Sequence, residues 1–140
     1  MPRTPSTSSR DAALKGKLNA ALAHGRDGRH QEGIDLLLAL VATHPESGPL
    51  LGVLGKLYFE AGDLTAAAKW FRKTTQVSPD SELASVGLFH SLWNGRHRSP
   101  ALAEAARFLA GHDSDEYSRI LRELTVAGEL SPRRQAAGAA

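Results

Sequence analysis

One pattern of residues returns at a step of 34 positions, and it limits what this chain can fold into more than any other feature. Gly28 recurs as Gly62, Gly33 as Ala67 and again as Ala101, Leu37 as Phe71, and Pro45 as Pro79. Ala20 and Ala21 map onto Leu54 and Gly55, then onto Leu88 and Phe89. Self-similarity at such a period marks stacked helical hairpins, because one hairpin cannot bury its apolar face alone. A stack of that kind offers an extended recognition surface rather than an enclosed catalytic cavity.

Apolar spacing and breakers place the helices. Residues 1–10 are expected to be disordered, since Met1 to Ser9 is rich in Pro, Ser and Thr and has little to bury. From Asp11, the residues Leu14, Lys17, Leu18, Ala21 and Leu22 mark a first helix that stops near Gly25. A second runs from about His30 to Thr43 on Ile34, Leu37, Leu38 and Val41, and His44-Pro45 ends it. Ser47 caps a third, carrying Leu51, Leu54, Gly55 and Tyr58. The fourth, about Leu64 to Val77, carries Ala67, Trp70, Phe71 and Thr74. Asp80 or Ser81 caps a fifth, about Glu82 to Asn94, with Ser85, Leu88, Phe89 and Leu92 as its stripe. Ser99-Pro100 reads as N-cap and first residue of a sixth, with Gly111 as its left-handed C-cap. Asp113 with Glu116 reads as a capping box for a last helix on Tyr117, Ile120, Leu121 and Leu124. Gly128 and Pro132 close it, and residues 129–140 are expected to be a disordered tail. Three repeats thus span about 14–47, 48–81 and 82–115 within one domain over 11–128, and a helix over about 114–127 covers the open end.

Bulk composition excludes some functions. Hydrophobic residues make up 41% and charged residues 23%, as in soluble globular domains. A net charge of +2 is too small to argue for nucleic acid or a membrane surface by itself. With no cysteine there is neither a disulfide framework nor a thiolate metal site, and a reducing cytoplasm fits. The longest apolar run, Leu36 to Ala42, is far too short for a membrane span, and the N-terminus has no signal-peptide core. The preference for Ala, Gly and Arg points, by association only, to a GC-rich bacterial genome.

The middle repeat resembles the tetratricopeptide repeat (TPR) family. Leu51-x-x-Leu54-Gly55-x-x-Tyr58, then Ala67-x-x-x-Phe71, then Pro79 follows that family's signature, with Leu51 in place of its usual Trp. The first repeat matches more weakly through Ala21, His24, Gly33, Leu37 and Pro45. The third keeps Ala101 but has Phe89 where a small residue is expected, Asp113 in place of the proline, and its turn glycine one residue early at Gly95. The resemblance implies an all-α, right-handed solenoid of three antiparallel helical hairpins plus a C-terminal capping helix, seven helices in all. It also implies a concave groove lined by the first helix of each hairpin. That face comes to Leu18, Leu22 and Arg26, to Lys56, Phe59 and Glu60, and to Val86, His90 and Trp93. Phe59 and Trp93 have a bland reading too, as residues simply buried against neighbouring helices. A carboxylate clamp of the kind chaperone adaptors use is rejected, because Leu18, Leu22, Val86 and His90 stand at the clamp positions and only Lys56 is basic.

The implied function is a non-enzymatic scaffold or adaptor that holds a partner peptide or helix by apolar anchors. Two rivals accompany it. One is a dedicated small chaperone or neutralising partner of one bacterial protein. The other is weak nucleic-acid binding through the basic turn Arg96-His97-Arg98 and the tail pair Arg133-Arg134. A solvated turn explains those charges better, because no aromatic is interleaved to stack on bases. Self-association through the groove or an open end stays open. No catalytic residue, metal ligand set or cofactor is expected. The six histidines form no HExxH pair, the acids at Asp113, Asp115 and Glu116 suit a helix N-terminus, and Gly25, Gly28 and Gly33 follow no strand.

Overall fold

The computed structural model describes residues 7–130. Residues 1–6 and 131–140, with most of the expected disordered segments and the Arg133-Arg134 pair, lie outside the described residues. The described chain holds seven helices and no strand: α1 (Thr7–Arg26), α2 (His30–Val41), α3 (Gly48–Glu60), α4 (Leu64–Val77), α5 (Glu82–Asn94), α6 (Arg98–Leu109) and α7 (Asp115–Val126). The first starts at Thr7, ahead of Asp11, where the helical period sets in.

Short polar side chains start the helices. Ser47, Asp63, Ser81 and Ser114 each accept a hydrogen bond from the backbone N–H three residues on, at 3.3, 3.1, 3.1 and 3.0 Å. This satisfies one of the amides that a helix start leaves free. Two expected starts are corrected. His97, not Ser99, stands at the N-cap of α6, and no side chain caps it. Ser114, not Asp113, caps α7, so the Asp113–Glu116 box does not form.

The helix ends repeat a motif. At Gly28, Gly62 and Arg96 the backbone turns left-handed, with φ of 79°, 86° and 67°. Each donates its N–H to the carbonyl three residues back (Gly25, Phe59, Trp93). The next N–H reaches five back, from Arg29 to His24, Asp63 to Tyr58 and His97 to Leu92. This is the Schellman closure. Gly128 (φ 78°) repeats it at the end of α7. The third turn therefore stays in step with the other two. Gly95 carries φ −79°, and Arg96, one residue after the early glycine, takes the left-handed place. Gly111 does not adopt that conformation, and Ala110 closes α6 as an ordinary right-handed residue.

Each helix from α1 to α5 packs on the next, and α1 also meets α3, as α3 meets α5. Small residues set the closest crossings. A Cβ added at Gly33 would stand 2.8 Å from the Ala21 carbonyl oxygen, and one at Gly55 would stand 2.8 Å from the ring of Phe71. Two apolar cores result. One joins Leu18, Ala21, Ile34, Leu37, Leu54, Leu57 and Trp70, and the other joins Phe71, Leu88, Phe89, Phe108, Tyr117 and Ile120. Helix α4 feeds both, through Trp70 on one side and Phe71 on the other, so the two halves share a wall.

A buried polar network ties α5, α6 and α7. Ser85 Oγ donates to Glu104 Oε2 at 2.6 Å and lies 2.7 Å from the Tyr117 hydroxyl. Ser85 has one proton and gives it to the carboxylate, so Tyr117 is the donor in the second bond. Arg107 holds the same carboxylate with two bonds, at 2.8 and 2.7 Å, and donates to the Pro79 carbonyl at 3.3 Å. Burial is the main cause that pushes the Tyr117 hydroxyl up to about 12. The outer residues Arg119, Arg122 and Glu123 face water.

Candidate binding groove

Helices α3 and α5 enclose a cavity of about 860 Å³, with Leu22 of α1 at its edge and Phe71 and Thr74 of α4 in its lining. Its walls follow helical spacing. Pro49, Gly52, Val53, Lys56, Phe59 and Glu60 come from α3, and Leu83, Val86, Gly87 and His90 from α5. Residues three and four apart share a helix face, so both rows point one way.

Six of the nine residues expected on this face line the cavity: Leu22, Lys56, Phe59, Glu60, Val86 and His90. Three stand elsewhere. Leu18 is 8% exposed and belongs to the core of the first half. Arg26 is exposed at the end of α1. Trp93 is half-buried and covered on two sides. It stacks on Phe89 with ring centroids 5.7 Å apart, and the Arg98 guanidinium lies 4.7 Å over its ring. Arg98 is itself held by Glu129 at 2.7 Å, so the C-terminal end of the described chain is fastened beside Trp93.

Residue-by-residue reading missed Pro49, Gly52, Val53, Leu83 and Gly87. The signal was available, since extending the Lys56 and His90 faces back by three or four residues reaches Gly52, Val53, Val86 and Leu83 in turn. Gly52 and Gly87 leave the floor bare. A Cβ at Gly87 would stand 2.5 Å from the Phe71 ring, whereas one at Gly52 would meet only Thr74 at 3.8 Å. At the rim, Leu83 is 82% exposed and adds apolar surface to the lining.

The groove's charges largely cancel. Lys56 Nζ lies 3.8 Å from Glu60 Oε1, and Glu60 Oε2 lies 3.4 Å from His30 Nε2. His90 is held below its ordinary value, first by burial, with Arg119 acting in the same direction and Glu116 opposing. Its imidazole is therefore neutral near pH 7 and adds hydrogen-bonding capacity without charge. The remaining lining is mainly carbon, so the arrangement suits apolar side chains with few ionic demands.

Chemistry elsewhere is sparse. The Ser85–Glu104–Tyr117 network has the connectivity of an activated hydroxyl, yet Ser85 is 0% exposed and meets no solvent. Among the described residues no three His, Asp or Glu converge to hold a metal ion. No helix among them is long and apolar enough to cross a membrane. No protein-family model matches the chain, and no curated protein matches it at a significant level.

Proposed function

We propose that this chain is a TPR-like α-solenoid that works as a non-enzymatic scaffold, binding an apolar segment of a partner protein between α3 and α5. The observation that carries this reading is the cavity that gathers Leu22, Lys56, Phe59, Glu60, Val86 and His90 from three different helices. The three left-handed turns at Gly28, Gly62 and Arg96 support the solenoid, since they return at the period of the sequence repeat. Self-cancelling charge and the exposed Leu83 favour apolar anchors over a charged ligand.

Burial of such anchors contributes about 25 cal/mol per Å² before ordering costs are subtracted. The test is affinity purification from the native host with Phe59→Ala/Val86→Ala beside the wild type. Loss of one partner by the double variant, with unchanged helicity, supports the groove. Equal recovery of the same partners by both proteins contradicts it. A complex of fixed stoichiometry that survives high salt would identify a dedicated chaperone rather than a transient adaptor.

A further inference from the structure

A second surface lies away from this groove and has the opposite character. On α4, the exposed residues Lys69, Arg72 and Lys73 share one face at helical spacing. Helix α4 contains no acid, and its N-cap Asp63 is occupied with the Ala66 amide. Arg72 and His97 together line a separate cavity of about 300 Å³, with Thr65 and Pro100 on its edge. The basic turn Arg96-His97, isolated in the sequence, thus adjoins the cations of α4. The turn holds no acid, and the single acid of α6, Glu104, is buried with Arg107. None of Lys69, Arg72, Lys73, Arg96 or His97 forms an ion pair among the described residues, whereas Arg98, Arg107 and Arg119 all do.

Two features decide what these cations fit. The face carries no large, well-exposed hydrophobic side chain, and the carbon that Leu64, Ala68, Leu92 and Pro100 contribute is set into the Arg72–His97 cavity. The large exposed hydrophobics are Leu38, Val77, Leu83, Leu109 and Val126, and none of them lines the Arg72–His97 cavity. A protein partner is usually gripped through such an anchor. The face also lacks an exposed aromatic. Trp70 is 7% exposed, with Lys69 and Lys73 lying 5.2 and 4.8 Å from its ring, so it supports the two ammonium groups and cannot stack on bases. A single strand therefore gains little here.

We infer that the α4 face and the α5–α6 turn form a sequence-independent binding surface for the phosphate backbone of duplex nucleic acid. Lys69, Arg72 and Lys73 make the central contacts, and Arg96 and His97 extend them.

The test is fluorescence anisotropy of the full chain with a labelled random-sequence duplex of about 20 base pairs. Binding at 50 mM salt should weaken by about 40-fold at 200 mM if three phosphates are neutralised. Lys69→Gln/Arg72→Gln/Lys73→Gln should weaken binding at least about tenfold and flatten the salt slope. Arg72→Gln/His97→Gln, which leaves the contacts with Trp70 alone, should act in the same direction. Arg122→Gln on α7 should change little. Absence of duplex binding at 50 mM, or full binding by both multiple variants, overturns the assignment. So does tighter binding of the matching single strand, or displacement of the duplex by poly-glutamate at equal charge, which would make the ligand an acidic polypeptide.

Discussion

The ring of Phe71 occupies the space that a side chain at Gly87 would need. A Cβ built at Gly87 would stand 2.5 Å from Phe71 Cε1, and one built at Gly55 would stand 2.8 Å from the same ring. One aromatic on α4 is thus clasped between bare backbone on α3 and on α5. It serves as core and as floor of the groove together.

Packing at this point has little slack. Gly87→Ala should cost about 1–3 kcal/mol by overpacking, and Phe71→Ala about 3–5 kcal/mol through the cavity it leaves. Combined with Phe71→Leu, Gly87→Ala should cost less than the sum of the two single changes, because both act on one volume. Urea unfolding of the four proteins measures this. Strict additivity would mean that the two residues do not share the site.

Arg96 pays for its place in the third turn. A non-glycine residue in the left-handed region costs about 1–2 kcal/mol, offset in part by the extra chain entropy of glycine. Arg96→Gly should therefore raise stability by about 0.5–1 kcal/mol. An unchanged or lower midpoint in denaturant would contradict the turn geometry.

The Ser85 network predicts a cost out of proportion to the atoms removed. Ser85→Ala deprives buried Glu104 of a donor and Tyr117 of its acceptor, at about 1–3 kcal/mol for each group left unmatched. Calorimetric melting compares it with Ser118→Ala, an exposed residue whose hydroxyl bonds to the Ser114 carbonyl within its own helix turn. Equal effects would deny the network its role.

Protonation gives two signs. The unfolded chain takes up a proton at His90 near its ordinary 6.5, while the folded chain does so only at lower pH. The unfolded state then holds more protons, so stability falls on acidification through that range, and His90→Gln should remove part of the loss. Tyr117 acts in the alkaline range. The unfolded chain loses its proton near 10 and the folded chain near about 12, so stability falls as pH rises between them. Thermal melts of wild type, His90→Gln and Tyr117→Phe from pH 5.5 to pH 11 would separate the two.

Much of the helix layout was legible because it depends on local chemistry. Helices α4 and α5 span the residues their apolar stripes and breakers indicate, and Ser47 and Ser81 cap as their side chains suggest. What escaped depends on backbone geometry or on distant contacts. Gly95 looked like the turn residue, yet the closure needs its left-handed residue one step later, so Arg96 adopts it. Ser114 caps α7 in place of Asp113, and no pattern of residue types separates two adjacent cap formers. Trp93 shares a helical face with Val86 and His90, but Arg98 and Glu129, distant in sequence, cover it. The floor of the groove was hidden for a similar reason. Gly52 and Gly87 have no side chain to form a pattern, and only the fold brings their bare backbone against Thr74 and Phe71 in the lining.

The central claim is that the face between α3 and α5 holds a partner. A photo-crosslinking amino acid placed at Leu83, on the open rim, tests it most directly in the native host, with the same substitution at Arg122 on α7 as the comparison. The account predicts one dominant crosslinked protein from position 83, lost when Phe59→Ala/Val86→Ala is added, and none of that product from position 122. Equal crosslinking from both positions, or a product at 83 that survives the double substitution, would contradict it.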